Sequence, residues 1–525
     1  MREILYIQAG PLANYTGTHF WNTQEAYFTY GDDADEPLVD HAISFREAVV
    51  GRVCDLALIS PLTHRAPGGA PSLAPRQLTA ANFGTLSKDL LSQDDSSQDD
   101  TGTNLWYVLS PSHRARADDR RNGDVVEYRQ PAIEKSPYHD KLDNDGEDAD
   151  GDDAPAVRYW SDFNRLYYPP KTVQKLPDVA DWEDKEGDWE DGRALFRRFD
   201  EDTDLMDDAV RAFAEECDAL QGVQLTYDTG AAGGFTDALL GALRDEYAKL
   251  SLLAFPLLSD ALAAPLDVDD HRGRRKALND ALVLRSLHEL VPLSVPLQSP
   301  RTWPKTLDGV QGLNTGDMYR TSALLSAHIE SATLPLRLRA GREDLASYAS
   351  HLTWRGTTRF AELSGRADAD FDSRLFNYSA LDSAEAGADL EFATRDVARG
   401  FSLPQTAAYE KWRAGYHLRE PFFLSTHAPL YPLPTSFPPI FPTAPEKRAH
   451  TIPLFTSLST TPRTAALLRR HATFVEANLG AGGGTGLDRD EMKELGNDLW
   501  RVCDGYDGED GGGAAEEGDY GEDEE

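Results

Sequence analysis

The chain begins Met1-Arg2-Glu3-Ile4-Leu5-Tyr6-Ile7-Gln8-Ala9-Gly10 and continues, after a short interval, with Gly17-Thr18-His19-Phe20-Trp21-Asn22. The run from Ile4 to Ala9 has the pattern of a short buried strand, Gly10 ends it, and residues 18–30 predict a helix. A strand, a glycine turn and the start of a helix together form a phosphate-binding geometry. This part of the chain therefore predicts a βα unit with a candidate phosphate site at Gly10.

A second informative stretch reads Glu216-Cys217-Asp218-Ala219-Leu220-Gln221-Gly222-Val223-Gln224-Leu225-Thr226-Tyr227-Asp228-Thr229-Gly230. Apolar residues from Leu205 to Leu220 recur at helical spacing, and residues 222–227 alternate as a strand. We expect a glycine-rich turn at residues 230–234, a helix capped by Thr236, and a further strand at residues 251–258. Strands that alternate with helices predict a parallel sheet, so the predicted fold class is α/β.

The first stretch resembles the start of tubulins, and its run from Gly17 to Asn22 is similar to a run in the Misato family of tubulin relatives. The run from Cys217 to Thr226 resembles the tubulin pattern Cys-Asp-x-Leu-Gln-Gly-Phe-Gln-Leu-Thr, which precedes the glycine signature of that superfamily. The resemblance covers residues 1–90 and 200–365 well. It implies an α/β fold with a tubulin-like nucleotide-binding-type parallel sheet, a smaller α/β second domain and C-terminal helices.

On this resemblance we divide the chain into six parts. Residues 1–91 form the N-terminal part of the tubulin-like domain (the Misato segment), residues 92–158 an acidic, partly disordered insertion, and residues 159–300 the rest of that domain. Residues 301–445 form the second domain with a proline-rich connector at 421–445, residues 446–503 the C-terminal helices, and residues 504–525 a disordered acidic tail. Further helices are predicted at residues 276–289, 319–331, 464–479 and 488–502.

The glycine signature departs from the tubulin pattern. Tubulins read Gly-Gly-Gly-Thr-Gly-Ser-Gly, whereas this chain reads Gly230-Ala231-Ala232-Gly233-Gly234-Phe235-Thr236. A phosphate cradle needs backbone N–H groups with no Cβ in the way, so the alanine methyls and the Phe235 ring favour a degraded site. Pro11 likewise removes a backbone donor from the first loop. The candidate GTP site that the resemblance implies comprises Gly10, Asn14, Gly230, Gly233, Gly234 and Asn279.

Tubulins hydrolyse GTP with an acid from the Gly-x-x-Asn-x-(Asp/Glu)-Leu loop of a neighbouring subunit. The matching run here is Gly341-Arg342-Glu343-Asp344-Leu345, in which the Asn is missing and the spacing is shorter. We expect Glu343 or Asp344 to serve as a helix-start acid. We therefore predict that the chain is not an enzyme and has no catalytic residues. We predict no obligatory cofactor, and GTP is the ligand that the site would take if it is functional.

Composition excludes several other classes. The net charge is −37, and most of the excess lies in four acidic segments, at residues 93–100, 143–153, 178–191 and 504–525. Direct nucleic-acid binding is not expected, since phosphate affinity comes from Lys and Arg.

Cys54, Cys217 and Cys503 have no paired spacing, so neither a disulfide framework nor a metal site is predicted. We expect no transmembrane segment and no cleaved presequence. The run at residues 482–486 resembles the glycine signature but is interpreted as a linker.

The resemblance implies a tubulin-like protein that partitions mitochondria and mitochondrial DNA at division, as a non-catalytic scaffold. It is expected at the mitochondrion on the cytosolic side, held to the outer surface by protein partners, with a cytoplasmic pool. One alternative is an active GTP-dependent polymerising protein. A second alternative is a cytosolic adaptor in tubulin biogenesis or spindle function, whose acidic tail engages tubulin-binding proteins or the cytosolic chaperonin.

Overall fold

The structure, a computed structural model, describes residues 3–28, 37–46, 52–53, 55–59, 138, 157–166, 173–176, 188–267, 269–367, 371, 375–379, 391–416, 418, 421–441, 450–479 and 487–506. Three predicted features lie wholly or almost wholly outside these residues. They are the acidic insertion at 92–158, the glycine run at 482–486, and the acidic tail after residue 506.

The first sheet is built from short apolar strands. In chain order these are β1 (Ile4–Ala9), β4 (Asp55–Ile59), β5 (Val173–Lys175), β6 (Gly222–Asp228), β7 (Ser251–Leu257) and β8 (Leu293–Ser294). They pair in the order β5-β4-β1-β6-β7-β8, and every pairing is parallel. The remaining early strands, β2 (Phe45–Arg46) and β3 (Arg52–Val53), form a small antiparallel pair. The parallel sheet predicted from the sequence is confirmed, as are the strands at residues 4–9, 222–227 and 251–258.

Both faces of this sheet are covered by helices. Along β1, Ile4 and Tyr6 join one buried cluster, while Leu5 and Ile7 join another on the opposite face. The helices of this part are α1 (Pro11–Glu25), α2 (Trp189–Thr203), α3 (Ala212–Glu216), α4 (Thr229–Glu246) and α5 (His271–Leu290). A parallel sheet buried on both sides is the arrangement expected of an α/β fold.

Two helix predictions need correction here. The helix expected at residues 18–30 begins at Pro11 and ends at Glu25. The pattern from Leu205 to Leu220 is a π-helix, Leu205–Arg211, followed by α3, and extended backbone at Cys217 ends it. Cys217 and Leu220 therefore lie outside the helix that their spacing predicted.

The second sheet is mixed. Its strands are β9 (Glu362–Arg366), β10 (Phe376–Asn377), β11 (Ala393–Arg399), β12 (Phe423–Ala428) and β15 (Leu454–Thr460), in the order β10-β9-β15-β11-β12. β13 (Tyr431–Pro432) and β14 (Thr451–Ile452) form a separate pair. The proline-rich connector predicted at 421–445 thus contains two strands, because its prolines fall at strand ends and between strands.

Helices α6 (Met318–Ala332), α7 (Leu345–Leu352), α8 (Leu403–Arg413), α9 (Thr464–Ala477) and α10 (Arg489–Asp504) complete the fold. α6 packs against α1 on one side and against the second sheet on the other, while α9 and α10 pack on α5. Aspartate side chains accept backbone N–H groups at the starts of α2, α5, α6, α7 and α10. Part of the acidic excess is therefore used as helix N-caps.

Candidate functional site

The predicted site residues lie at the carboxyl edge of the parallel sheet. β1 ends at Ala9 and β6 ends at Asp228, and these two strands are direct neighbours. Gly10 and Gly230 follow them, and Asn14 lies in the second turn of α1. Ligands of open α/β sheets bind at this edge, so the structure brings Gly10, Asn14 and Gly230 to the expected place.

The start of α1 is already occupied by a side chain of the protein. The Asp228 carboxylate accepts a hydrogen bond from the Leu12 N–H at 2.8 Å and another from the Ala13 N–H at 3.1 Å. These are the donors that a phosphate would use at a helix N-terminus. Gly10 has φ of +110°, and a Cβ there would lie 2.7 Å from the Asp228 side chain. The glycine therefore makes room for an internal carboxylate.

Burial changes the acidity of that carboxylate. It raises the pKa of Asp228 from 3.8 to about 7, while the hydrogen bonds from Leu12 and Ala13 act in the opposite direction. The group thus changes charge near neutral pH. Sequence reasoning missed Asp228, although an acid at the end of a buried strand, directly before a glycine signature, was a signal that could have revealed it.

The glycine signature is part of a helix, which corrects the predicted turn at residues 230–234. α4 starts at Thr229, so Thr236 lies inside it, fully buried, and is not its cap. A Cβ on Gly234 would lie 2.2 Å from the Trp189 carbonyl oxygen, and one on Gly233 would lie 3.3 Å from Val283 Cγ2. Contact with α2 and α5 accounts for these two glycines, and the geometry gives no support to their predicted role in phosphate binding.

Phe235 also packs against α2. Its ring packs edge-on against Phe196 of α2, with ring centroids 5.4 Å apart. The bulky side chain that replaces a small polar residue of the tubulin signature therefore fills the interface between α2 and α4. The start of α2 thus lies against the second half of the glycine signature.

The surroundings of Gly230 are less crowded than those of Gly233 and Gly234. A Cβ there would be in ordinary contact with Ser259 and Lys276, at 3.6 and 3.7 Å. The polar groups behind it are satisfied internally, since Asp280 accepts hydrogen bonds from Thr229 Oγ1 and from Ser259 Oγ. Burial raises the pKa of Asp280, and the nearby His471 acts against this shift.

Asn279 lies in the interior of α5, not at a helix start, and is 1% exposed. Its neighbour Asp280 contacts the first residue of α4, so Asn279 lies behind the same edge of the sheet. Its predicted role as a base-contacting residue stays a prediction.

The Gly17–Asn22 run joins the two sheets through α1. His19 Nε2 lies 3.0 Å from the Tyr319 carbonyl oxygen, and its ring stacks on Phe163 at 4.4 Å between centroids. Burial lowers the pKa of His19 to about 3, so the ring is neutral and donates this bond. The Asn22 side-chain amide donates to the carbonyl of Phe163 and to the hydroxyl of Ser436. The run is a packing element rather than a ligand site.

Gly17 packs directly against the Gln8 side chain of β1. A Cβ on Gly17 would lie 1.7 Å from Gln8 Oε1. Any larger residue at this position would have to displace the buried Gln8 amide.

The acids that match the tubulin hydrolysis loop have structural roles. Asp344 is the N-cap of α7 and accepts the Ser347 N–H at 2.9 Å, which confirms the expected helix-start acid. Glu343 forms an ion pair with Arg395 at 2.7 Å. Among the described residues, no group of three or more His, Cys, Asp and Glu side chains is arranged to hold a metal ion. None of the helices described is long and apolar enough to cross a membrane.

Comparisons with known proteins agree with this architecture. Residues 2–144 match the Misato Segment II tubulin-like domain, and residues 152–338 match a tubulin domain. The chain is 30% identical to protein dml1 of Aspergillus niger and 28% identical to protein dml-1 of Neurospora crassa, in each case over 96% of this chain and 97% of the relative. It is 28% identical to protein misato of Drosophila melanogaster, over 67% of this chain and 62% of that protein.

Proposed function

Because the chain belongs to the Misato family of tubulin-like proteins, we propose that it is a non-catalytic scaffold that partitions mitochondria and mitochondrial DNA. Family membership is the basis of the mitochondrial part of this proposal. The observation that carries the non-catalytic part is the Asp228 carboxylate bound at the start of α1.

A nucleotide phosphate would have to displace this carboxylate. The two N–H groups of Leu12 and Ala13 are hydrogen-bonded to Asp228, and bonds of this type to an ionised acceptor are the stronger kind. When Asp228 is ionised, a phosphate placed beside it would also meet a like charge in a partly buried site. The tubulin-like fold can therefore serve through its surfaces, because the Asp228 carboxylate already occupies the position that a phosphate would take.

The residues that match the glycine signature and the hydrolysis loop of tubulins also support a non-catalytic role. The Trp189 end of α2 lies against Gly233 and Gly234, so this part of the glycine segment is packed against protein. Glu343 and Asp344 are held by Arg395 and by the start of α7. An acid committed to an ion pair or to a cap is poorly placed to orient water on a neighbouring subunit.

Calorimetry with GTP and GDP in the presence of magnesium tests the non-catalytic part. We expect no binding heat for the wild-type protein at millimolar nucleotide. Asp228→Ala exposes the N–H groups of α1 and should gain measurable affinity for phosphate or nucleotide. The matched control is Asp237→Ala, which removes an acid of α4 that accepts a hydrogen bond from Ser286 away from the site. Micromolar binding by the wild type would overturn the proposal and favour the GTP-dependent polymerising alternative.

Localisation tests the mitochondrial part. In cells that lack their own copy, we expect a tagged copy at native level to follow mitochondria, and to remain there when microtubules are depolymerised. The Asp228→Ala variant should restore mitochondrial distribution as well as the wild type does, since the proposed role uses no nucleotide. Loss of the mitochondrial signal together with microtubules would instead favour the adaptor in tubulin biogenesis or spindle function.

A further inference from the structure

Two arginines meet at the C-terminal end of α5. Arg244 Nε donates to the Leu290 carbonyl oxygen at 2.6 Å, and an Arg359 guanidinium nitrogen donates to the His288 carbonyl oxygen at 2.7 Å. The two carbonyl groups are two residues apart, which brings the two cations close together, and burial and the charge of Arg359 both lower the pKa of Arg244. The C-terminal end of a helix attracts cations, so the fold gathers positive charge here.

A third arginine extends this surface toward an exposed aromatic ring. The Arg355 guanidinium lies over the Phe392 ring, 4.2 Å from its centroid. Next to it, Trp354 is 51% exposed while its indole nitrogen donates to the Phe392 carbonyl oxygen. We name the surface formed by Arg244, Trp354, Arg355 and Arg359 the arginine edge.

The arginine edge has no acidic partner within the described part of the chain. Many other arginines of the protein do, as in the pairs of Arg395 with Glu343 and Arg413 with Glu391. Arg244, Arg355 and Arg359 form no ion pair with any described carboxylate, although the chain carries a net charge of −37. Three arginines that contact backbone carbonyls or a ring but have no described carboxylate as counter-ion, in so acidic a protein, point to an acidic ligand.

The chain itself returns to this surface after α10. A Cβ on Gly505 would lie 3.3 Å from the Thr357 side chain, and the Tyr506 hydroxyl donates to the Phe360 carbonyl oxygen at 3.2 Å. Gly505 and Tyr506 therefore lie beside residues 357–360, which follow Trp354 and Arg355 in the same loop.

The segment that follows has the complementary charge. Residues 507–525 contain ten Asp and Glu side chains and no Lys or Arg, with Tyr520 as their single aromatic residue. Fully extended, such a segment reaches about 60 Å from its start. Because it starts next to the surface, its effective concentration there is high and little affinity per contact is needed.

We propose that residues 507–525 bind in cis to the arginine edge. Carboxylates of the segment pair with Arg244, Arg355 and Arg359, and the exposed Trp354 ring offers an apolar contact for Tyr520. Binding at this surface withholds the acidic segment from other cationic partners until one of them competes for it. The inference is independent of the proposed mitochondrial role.

Limited digestion of the full chain with a glutamyl endopeptidase tests this proposal. Cleavage after Glu516 and Glu517 is followed by intact mass, with a synthetic peptide of residues 507–525 in the same tube as reference. At low salt we expect the segment in the protein to be cleaved about fivefold more slowly than the peptide, and the difference to vanish at high salt. Equal cleavage of protein and peptide would overturn the proposal.

Charge-reversal variants locate the binding surface. Arg355→Glu should raise cleavage of the segment to the rate of the free peptide. The matched control Arg272→Glu, at the other end of α5, makes the same charge change and should leave the protection unchanged. Protection that is the same in both variants, or that disappears on hundredfold dilution and so comes from a second copy, would contradict binding in cis to the arginine edge.

If Arg355→Glu does not fold, a variant of residues 507–525 tests the same proposal. Asp507→Asn, Glu509→Gln and Asp510→Asn together leave the arginine edge and the measured cleavage sites intact. This variant should release the protection after Glu516 and Glu517, and retained protection would argue against charge pairing.

Discussion

The Asp228 carboxylate combines a structural and an electrostatic role. It accepts two backbone N–H groups at the start of α1, yet its pKa is raised to about 7 because it is buried. In the unfolded chain an aspartate ionises near pH 4. Between these two values the folded state binds more protons than the unfolded state. The contribution of Asp228 to stability is therefore complete below pH 4 and is lost as the pH rises through about 7.

Replacement of Asp228 by Asn should remove this dependence on pH. We expect the free energy of unfolding of Asp228→Asn to gain on that of the wild type as the pH is raised from about 5 to 8. Urea denaturation at both pH values measures the difference, with Asp237→Asn in α4 as the control. Parallel pH profiles for Asp228→Asn and the wild type would show that the folded-state pKa is not raised.

Two glycines of α4 offer a matched pair. A Cβ on Gly234 would collide with the Trp189 carbonyl oxygen, whereas a Cβ on Gly241 meets nothing within 4 Å. Gly234→Ala should therefore destabilise the fold by about 1–3 kcal/mol through overpacking. Gly241→Ala should stabilise it by about 0.5–1 kcal/mol, since alanine favours the helix. Chemical denaturation of both variants measures this, and a loss of stability in neither would mean that α2 does not contact α4 as described.

At the scale of elements, the local sequence pattern predicted the strands correctly but placed the starts of two helices, α1 and α4, wrongly. β1, β6 and β7 were predicted correctly because their apolar runs are short and bounded. The start of α1 was missed because Gly10-Pro11 suggests a loop, and the cap that starts the helix is Asp228, distant in sequence. Pro11 is in fact well suited to the first turn.

The turn predicted at the glycine signature was wrong for a related reason. Gly230 to Gly234 reads locally as a turn, but α2 supplies a surface against which only a glycine-containing helix can pack. Of the candidate site, Gly10, Asn14 and Gly230 lie at the carboxyl edge of the sheet, and their role in binding stays a prediction. The filling of the site by Asp228 and Trp189 depends on tertiary contacts that no local pattern contains.

A buried charge cluster ties α1, α6 and the second sheet together. Glu330 of α6 is fully buried and accepts hydrogen bonds from Arg337 at 3.0 Å and Arg399 at 2.8 Å, and also from Tyr27 beside α1. Neutralising the carboxylate would leave two buried guanidinium groups without a counter-charge. Such a group is costly because the surrounding protein solvates it poorly.

Glu330→Gln should therefore lower the free energy of unfolding by about 3–5 kcal/mol. The control is Glu246→Gln, which breaks the more exposed pair with Arg211 and should cost far less because solvent screens the pair. Urea denaturation at neutral pH gives both values. Similar small effects for the two variants would show that the buried cluster does not hold these elements together.

At the scale of the whole molecule, the two sheets share one buried core. Residues of β1, α1 and α6 belong to the same apolar cluster as residues of β9, β11 and β15 in the second sheet. Two neutral histidines lie in this region, His19 in α1 and His328 in α6, and burial lowers the pKa of each to about 3. His328 Nδ1 lies 2.8 Å from the Thr456 hydroxyl of β15.

These histidines predict loss of stability in mild acid. The unfolded chain takes up protons near pH 6.5 while the folded chain does not, so stability falls as the pH drops below that value. Each histidine should cost roughly 2 kcal/mol between pH 7 and 5. His328→Gln should remove its share of this fall, whereas Thr456→Val, which alters the same contact without a titrating group, should not. Denaturation of the three proteins at both pH values checks this, and an unchanged fall in His328→Gln would refute it.

The tight crossing at Gly17 has a consequence for inherited variation. A side chain at this position has to displace the buried Gln8 amide from its place on β1. A loss of only 1–2 kcal/mol of stability can change the amount of a protein in the cell several-fold. Missense alleles at this glycine should therefore behave as dosage alleles. Their severity should follow the remaining protein level, and extra gene copies or lower growth temperature should rescue them.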